Sequence, residues 1–424
     1  LPDLNYQTWG SANRFVTAFY YRIFFQVAMV NEFLRETAAV RLDERGVSAA
    51  LREQIQQYRA EARFLRALSY WHGLDHFGDI PLVTESYAGV APPPQASRQE
   101  VFDFVVGELT EVLPLLPAPG QGQYGRADQG AVNMLLAKLY LNAEAYGLGA
   151  RYSEARAAAE AVINSSAWQL APDFLRNFMA DNHTSPEIIF AIPFDGLNTR
   201  TWGGTTFIIN ASVGGNNMVP SSYGVGGGWW GLRTTPQMVA KFPGIGGPDV
   251  RNSFFFTTGH SLEISNISDF HSGYPAPKFR NITSSGAAGS HNEFPDTDFP
   301  MFRLADAYLM YAEAVLRGGG GDPAQALAYV NQLRTRAYGD ASGNITAAQL
   351  TLAFILDERA RELMWEAHRR TDLVRYGLFT GGQYLWAWKG NVQGGQATPE
   401  TRRLYPIPAA ELAANPELVQ NPGY

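Results

Sequence analysis

The sequence predicts a mainly α protein: a tetratricopeptide-like helical scaffold carrying a loop-rich lobe that contains short strands. Three observations carry that expectation. Ile55, Tyr58, Ala62, Leu65, Leu68 and Trp71 recur at steps of three and four, so they share one helix face. Two later stretches alternate small and large residues as closely packed helical hairpins do. From residue 172 to 300 this periodicity gives way to Gly, Asn, Ser, Thr and Pro. The expected limits are a scaffold at 1–171 and 301–424 and a lobe at 172–300, within one unit spanning 1–424.

Residues 11–45 read as a helix with an aromatic stripe (Phe15, Phe19, Phe25, Phe33), and residues 51–77 as a second. Gly78-Asp79-Ile80-Pro81 ends the second, Pro92-Pro93-Pro94 stiffens the linker after it, and a third helix runs from about Gln99 to Leu113. A first hairpin pairs Gly130 to Tyr146 with the alanine-rich Tyr152 to Ile163. A second pairs Phe302 to Leu316 with Pro323 to Ala337, where Asp322 caps the helix that Pro323 begins. The lobe between them has three strand-like runs, Ile188 to Ile192, Thr205 to Asn210 and Phe254 to Thr258. A loop section this long is uncommon unless it is functional. Helix returns from Leu350 to Val374 before a proline-punctuated end.

Composition removes several classes of function. Lys plus Arg at 33 against Asp plus Glu at 40 leaves a net charge of −7, which argues against nucleic acid as a partner. The absence of cysteine excludes disulfides, thiolate metal sites and cysteine nucleophiles. No His-Glu-x-x-His, Gly-x-Ser-x-Gly or phosphate loop occurs, so catalytic motifs are lacking. The titratable run from Asp357 to Asp372 spaces opposite charges by three or four, the pattern of structural ion pairs.

The candidate surface rests on tryptophans flanked by glycine, Thr201-Trp202-Gly203-Gly204 and Gly228-Trp229-Trp230-Gly231. Glycine offers no side chain to cover its neighbour, so a ring beside it tends to show a face to solvent or ligand. The alternative is that these rings plug their loops onto the scaffold. Asp296-Thr297-Asp298 and Asp181 add hard oxygen donors on loops, which suit calcium, although helix capping is the commoner role of Asp-x-Asp alone.

Five ordered stretches resemble the SusD/RagB family of surface glycan-binding lipoproteins. They are Glu61 to Trp71, His76 to Leu82, Phe302 to Leu309, Arg369 to Gly377, and Tyr405 to Pro408 with Asn415-Pro416 and Gln420 to Tyr424. Tyr124 to Asp128, Phe178 to Asn182, Thr199 to Gly204 and Tyr384 to Gly390 are most similar to the starch-binding branch of that family. The resemblance implies a non-catalytic protein that captures starch or maltooligosaccharide (α-glucan). It also implies delivery to a SusC-like TonB-dependent transporter, and lipid anchoring at the outer face of the outer membrane. It assigns the stacking rings to Trp202 and to Trp229, nine residues before Met238-Val239; Trp230 and Tyr223 beside them read either as rim contacts or as packing rings. It also implies a structural Ca2+ held by Asp296 and Asp298, joined by Asp181. Family members open with a lipidated cysteine and a further ligand-bearing loop, and Leu1 to Trp9 is similar to the segment just after that loop. Rival readings are a binder of another glycan or of peptides, a glycoside hydrolase, and a protein-interaction adaptor.

Overall fold

A computed structural model describes residues 1–87, 89 and 91–424. The chain divides into two compact units: residues 1–122, 127–151 and 373–424 form the first, and 123–126 and 152–372 the second. This differs from the expected partition, because the lobe stays with the helices that flank it rather than standing apart from a continuous scaffold.

The first unit holds α1 (Arg14–Glu36), α2 (Ala49–Phe77), α3 (Arg98–Val112) and α4 (Gln129–Asn142). Each start is set by a side chain that accepts from otherwise unpaired N–H groups. Asn13 accepts from Phe15 and Val16, Ser48 from Leu51, and Asp128 from Ala131, while Ser97 and Glu100 close a capping box. α2 packs against both α1 and α3. The helix expected over 11–45 is two, with Ala39–Glu44 following separately. Its break has a visible cause. The Thr37 hydroxyl donates to the Phe33 carbonyl and the Arg59 guanidinium to that of Leu34, so side chains capture the last carbonyls of α1.

The second unit holds α5 (Tyr152–Asn164), β1 (Ile188–Ile192), α6 (Gly204–Ala211), β2 (Phe299–Arg303), α7 (Leu304–Leu316), α8 (Pro323–Tyr338) and α9 (Leu352–Glu362). α7 and α8 form the predicted hairpin, and the Asp322 side chain accepts from Ala324 N–H. The other expected hairpin does not hold as one unit: α4 and α5 fall on either side of the division, and α5 packs on α7. β1 pairs antiparallel with β2, setting Ile188 opposite Arg303 and Ile192 opposite Phe299.

Two of the three expected strands are absent. Thr205 to Asn210 lies in α6, where burial of Thr205, Thr206, Ile209 and Asn210 follows helical spacing despite the β-branched run. Phe254 to Thr258 is irregular chain, because Phe254 and Phe255 turn into a core with Phe242, Phe174, Phe178 and Phe279 instead of pairing.

Beneath that core lies a lattice of buried charges. Arg303 places Nη1 2.7 Å from both Glu187 and Glu362 and Nε 2.6 Å from Glu366. Arg251 pairs with Asp249, Glu358 and Glu362, and Arg336 with Glu187 and Glu362. Lys278 reaches Glu366 at 2.7 Å and lies 3.9 Å over the Phe178 ring. The acidic run read as structural from the sequence is therefore structural here. The same lattice explains why the expected helix from Leu350 to Val374 is interrupted after Glu362. Trp365 and Ala367 take φ of +64°, and the Glu366 carboxylate enters the lattice from that bend. No helix among the described residues is long and apolar enough to cross a membrane.

Candidate ligand-binding site

One short helix organises the aromatic surface. Trp202 lies just ahead of α6, and the turn bearing Trp229 is tied to the helix's far end. There Trp229 N–H donates to Asn210 O at 2.7 Å, Gly231 N–H to Ala211 O at 2.9 Å, and Trp230 N–H to Val213 O at 3.1 Å. The Asn210 amide also reaches the Glu293 carbonyl at 2.9 Å, bringing in the loop that carries Phe294.

The rings meet. Trp202 and Trp229 have centroids 6.2 Å apart with planes at 39°, and Phe294 lies 4.9 Å from Trp202. Phe207, from α6 itself, stands 6.3 Å from Trp229, and the Arg200 guanidinium lies 5.5 Å over Phe294. Trp202 is 62% exposed and Trp229 36%, so neither is enclosed. The pair thus brings two partly exposed apolar rings together at a tilt. Its chemistry is stacking, since an electron-rich indole face attracts polarised C–H groups.

Trp230 and Tyr223 lie elsewhere. Trp230 is 49% exposed but has φ +56°, and its ring contacts are with Phe270 and His271. Tyr223 packs on the phenylalanine-rich core with the Arg280 guanidinium 5.5 Å over its ring. Neither joins the Trp202–Trp229 pair by a ring contact among the described residues. Phe294 and Phe207, by contrast, belong to the aromatic cluster without any sequence signal to mark them. Neither has glycine flanks, and Phe294 reaches Trp202 from a loop distant in sequence.

The acidic residues do not fit the calcium expectation as they stand. Calcium takes six to eight oxygen ligands, but these carboxylates face hydrogen-bond donors. Asp296 accepts from Gly196 N–H and from the Ser290 amide and hydroxyl, and Asp298 from Phe194 N–H and the Tyr124 phenol. Asp181 accepts from the Ser284 amide and hydroxyl. No group of three or more His, Cys, Asp or Glu side chains converges among the described residues. Burial raises the Asp298 carboxyl above its ordinary range. The three residues tie loop segments together: Asp296 joins the Gly196 and Ser290 loops, Asp298 the Phe194 and Tyr124 segments, and Asp181 the Ser284 turn.

Gly228 is required by this turn. Its φ is +77°, and an added Cβ would collide with the Val213 carbonyl. Gly228→Ala should therefore displace the Trp229 turn and destabilise it by at least about 1 kcal/mol. Indole fluorescence and a thermal melt of the variant check this; an unchanged emission spectrum and Tm would contradict it.

Hairpin-forming helices that carry a loop-rich lobe with an open aromatic face define the class, a tetratricopeptide-like scaffold protein. Comparison with known proteins supplies the rest. The SusD family model matches residues 265–424. The starch-binding protein SusD of Bacteroides thetaiotaomicron is 32% identical across all of this chain and 81% of its own length. The chain belongs to the SusD family. Surface glycan-binding protein A from Bacteroides fluxus shares the fold, with a TM-score of 0.77 and 23% identity over 100% of this chain and 88% of that one. So does surface glycan-binding protein A from Bacteroides thetaiotaomicron, solved with laminarihexaose, at a TM-score of 0.68 and 23% identity over 87% and 79%.

Proposed function

We propose that this protein is a non-catalytic glycan receptor that captures starch or maltooligosaccharide on Trp202 and Trp229. It then passes the chain to a TonB-dependent transporter while held at the outer face of the outer membrane. The observation that carries the reading is the pair of open indoles tilted by 39° at 6.2 Å. A coplanar pair would favour a flat, extended polysaccharide, whereas a tilted pair follows the curvature of a helical glucan. The relative that is 32% identical over the whole chain bears the name of a starch-binding protein, which favours the α-linked polymer.

Binding rather than hydrolysis is supported by where the carboxylates are. Glu358, Glu362 and Glu366 are buried in ion pairs, and Asp296 and Asp298 hold backbone and hydroxyl donors. Stacking worth about 1 kcal/mol per ring beyond burial gives affinities of about millimolar to micromolar. Weak contacts of this kind release a chain readily, and a polymer restores retention by avidity.

A β-1,3-glucan is the second reading, because a structural neighbour was solved with laminarihexaose and that polymer also coils. Isothermal titration with maltoheptaose, β-cyclodextrin, laminarihexaose and xylohexaose separates the two. The expected result is binding of the first two and none of xylohexaose. Binding of laminarihexaose alone would transfer the proposal to β-1,3-glucan, and binding of none of the four would overturn it.

A further inference from the structure

Trp230 is turned away from the pair its neighbour belongs to, and the turn is strained. A φ of +56° is uncommon for a bulky aromatic residue and persists only where the surroundings impose it. Here the Trp230 N–H is held by Val213 O, and the next N–H by Ala211 O. Consecutive tryptophans consequently serve different surroundings: Trp229 meets Trp202 and Phe207, while Trp230 meets Phe270 at 6.3 Å and His271 at 6.5 Å.

The residue is partly covered and partly open. Its pyrrole edge lies on the bare backbone of Gly214, where any added Cβ would collide with Cδ1 and Cγ. With that edge covered, the residue as a whole is still 49% exposed. His271 stands edge-on to it, at 84°, with its side chain one-third exposed. Its Nδ1 lies 3.2 Å from the half-exposed Asp269 carboxylate, which can only accept, so Nδ1 donates there and Nε2 is left for another partner. Nε2 in turn lies over Gly215, 3.0 Å from where a Cβ would stand. Two adjacent glycines thus make room for a partly exposed indole beside a perpendicular, partly exposed imidazole–carboxylate pair.

We propose that Trp230, with His271 and Asp269 at its edge, is a second glycan-binding platform, separate from Trp202 and Trp229. The ligand class is a pyranose ring: its apolar C–H face stacks on the indole, and its hydroxyls hydrogen-bond Nε2 of His271 and donate to the Asp269 carboxylate. A second platform would hold another segment of the same polymer, adding avidity without new affinity at the first. This inference rests on the glycan reading of the protein, and the test separates the two.

The test is electrophoresis in native gels cast with amylopectin or laminarin, using the full chain. Wild type should be retained, and the Trp202→Ala/Trp229→Ala variant should keep a weaker but measurable retardation. Adding Trp230→Ala should abolish that remainder, Trp230→Phe should preserve part of it, and His271→Ala should weaken it severalfold. Retardation of the double variant no greater than in a blank gel would overturn the second platform while leaving the first. A residual retardation unmoved by Trp230→Ala would do the same. Failure of wild type to bind either polymer would remove both proposals. The Trp230→Phe variant guards against misfolding, since it keeps an aromatic ring on Gly214.

Discussion

Replacing Arg303 by methionine should destabilise the protein by about 3–5 kcal/mol, the loss usual when one partner is removed from a buried ion pair. The guanidinium is 1% exposed and bonds Glu187, Glu362, Glu366 and the Glu362 backbone carbonyl at once. Methionine fills much of the space but leaves three carboxylates sharing fewer cations. Chemical denaturation should show a lower midpoint, and a midpoint within error of wild type would refute the account. Acid should act on the same lattice. Burial alone would raise the Glu358 carboxyl, but Arg251, Arg361 and Arg334 outweigh it and hold the group at about 2. A carboxylate held below its ordinary value of 4.5 adds stability that is fully present above pH 4.5 and lost as pH falls towards 2. Stability measured from pH 6 to pH 2 should therefore fall mainly below pH 4.5, by about 3 kcal/mol from this residue alone. A flat profile over that range would contradict the lattice as described.

The second large effect concerns binding. Trp229→Ala removes a ring that touches both Trp202 and Phe207, so it deletes one stacking face and frees its neighbour. Truncating a central aromatic contact commonly costs about 2 kcal/mol or more, which is roughly a thirtyfold loss of affinity. Trp202→Ala should behave alike, since that ring is the more open of the two. Isothermal titration with maltoheptaose measures both, with circular dichroism to show that the fold persists. Equal affinities for wild type and Trp229→Ala would remove these rings from the binding surface.

Much of this architecture is legible because helices announce themselves locally. The three-and-four spacing through α2 and the Asp322-Pro323 start of α8 require no knowledge of distant contacts. Where sequence and structure part, tertiary demands override local preference. Thr205 to Ile209 looks like strand until Thr205, Thr206 and Ile209 must share a buried face. The break after Glu362 becomes intelligible only once Glu366 is seen pairing with Arg303 and Lys278. Glycine flanks single out the tryptophans, but spacing along a chain does not say which rings will meet. Phe294 and the separate setting of Trp230 are beyond reach for that reason.

The hydrogen bonds from the Trp229 turn to the end of α6 pass through backbone atoms, not side chains. The place of the Trp229 backbone against α6 is thereby written into peptide geometry, much as one jaw of a caliper is fixed to its frame. On the proposed function, exchanging either ring for tyrosine or phenylalanine would alter grip and taste for sugar while leaving that backbone frame untouched. A receptor built this way can be retuned one residue at a time.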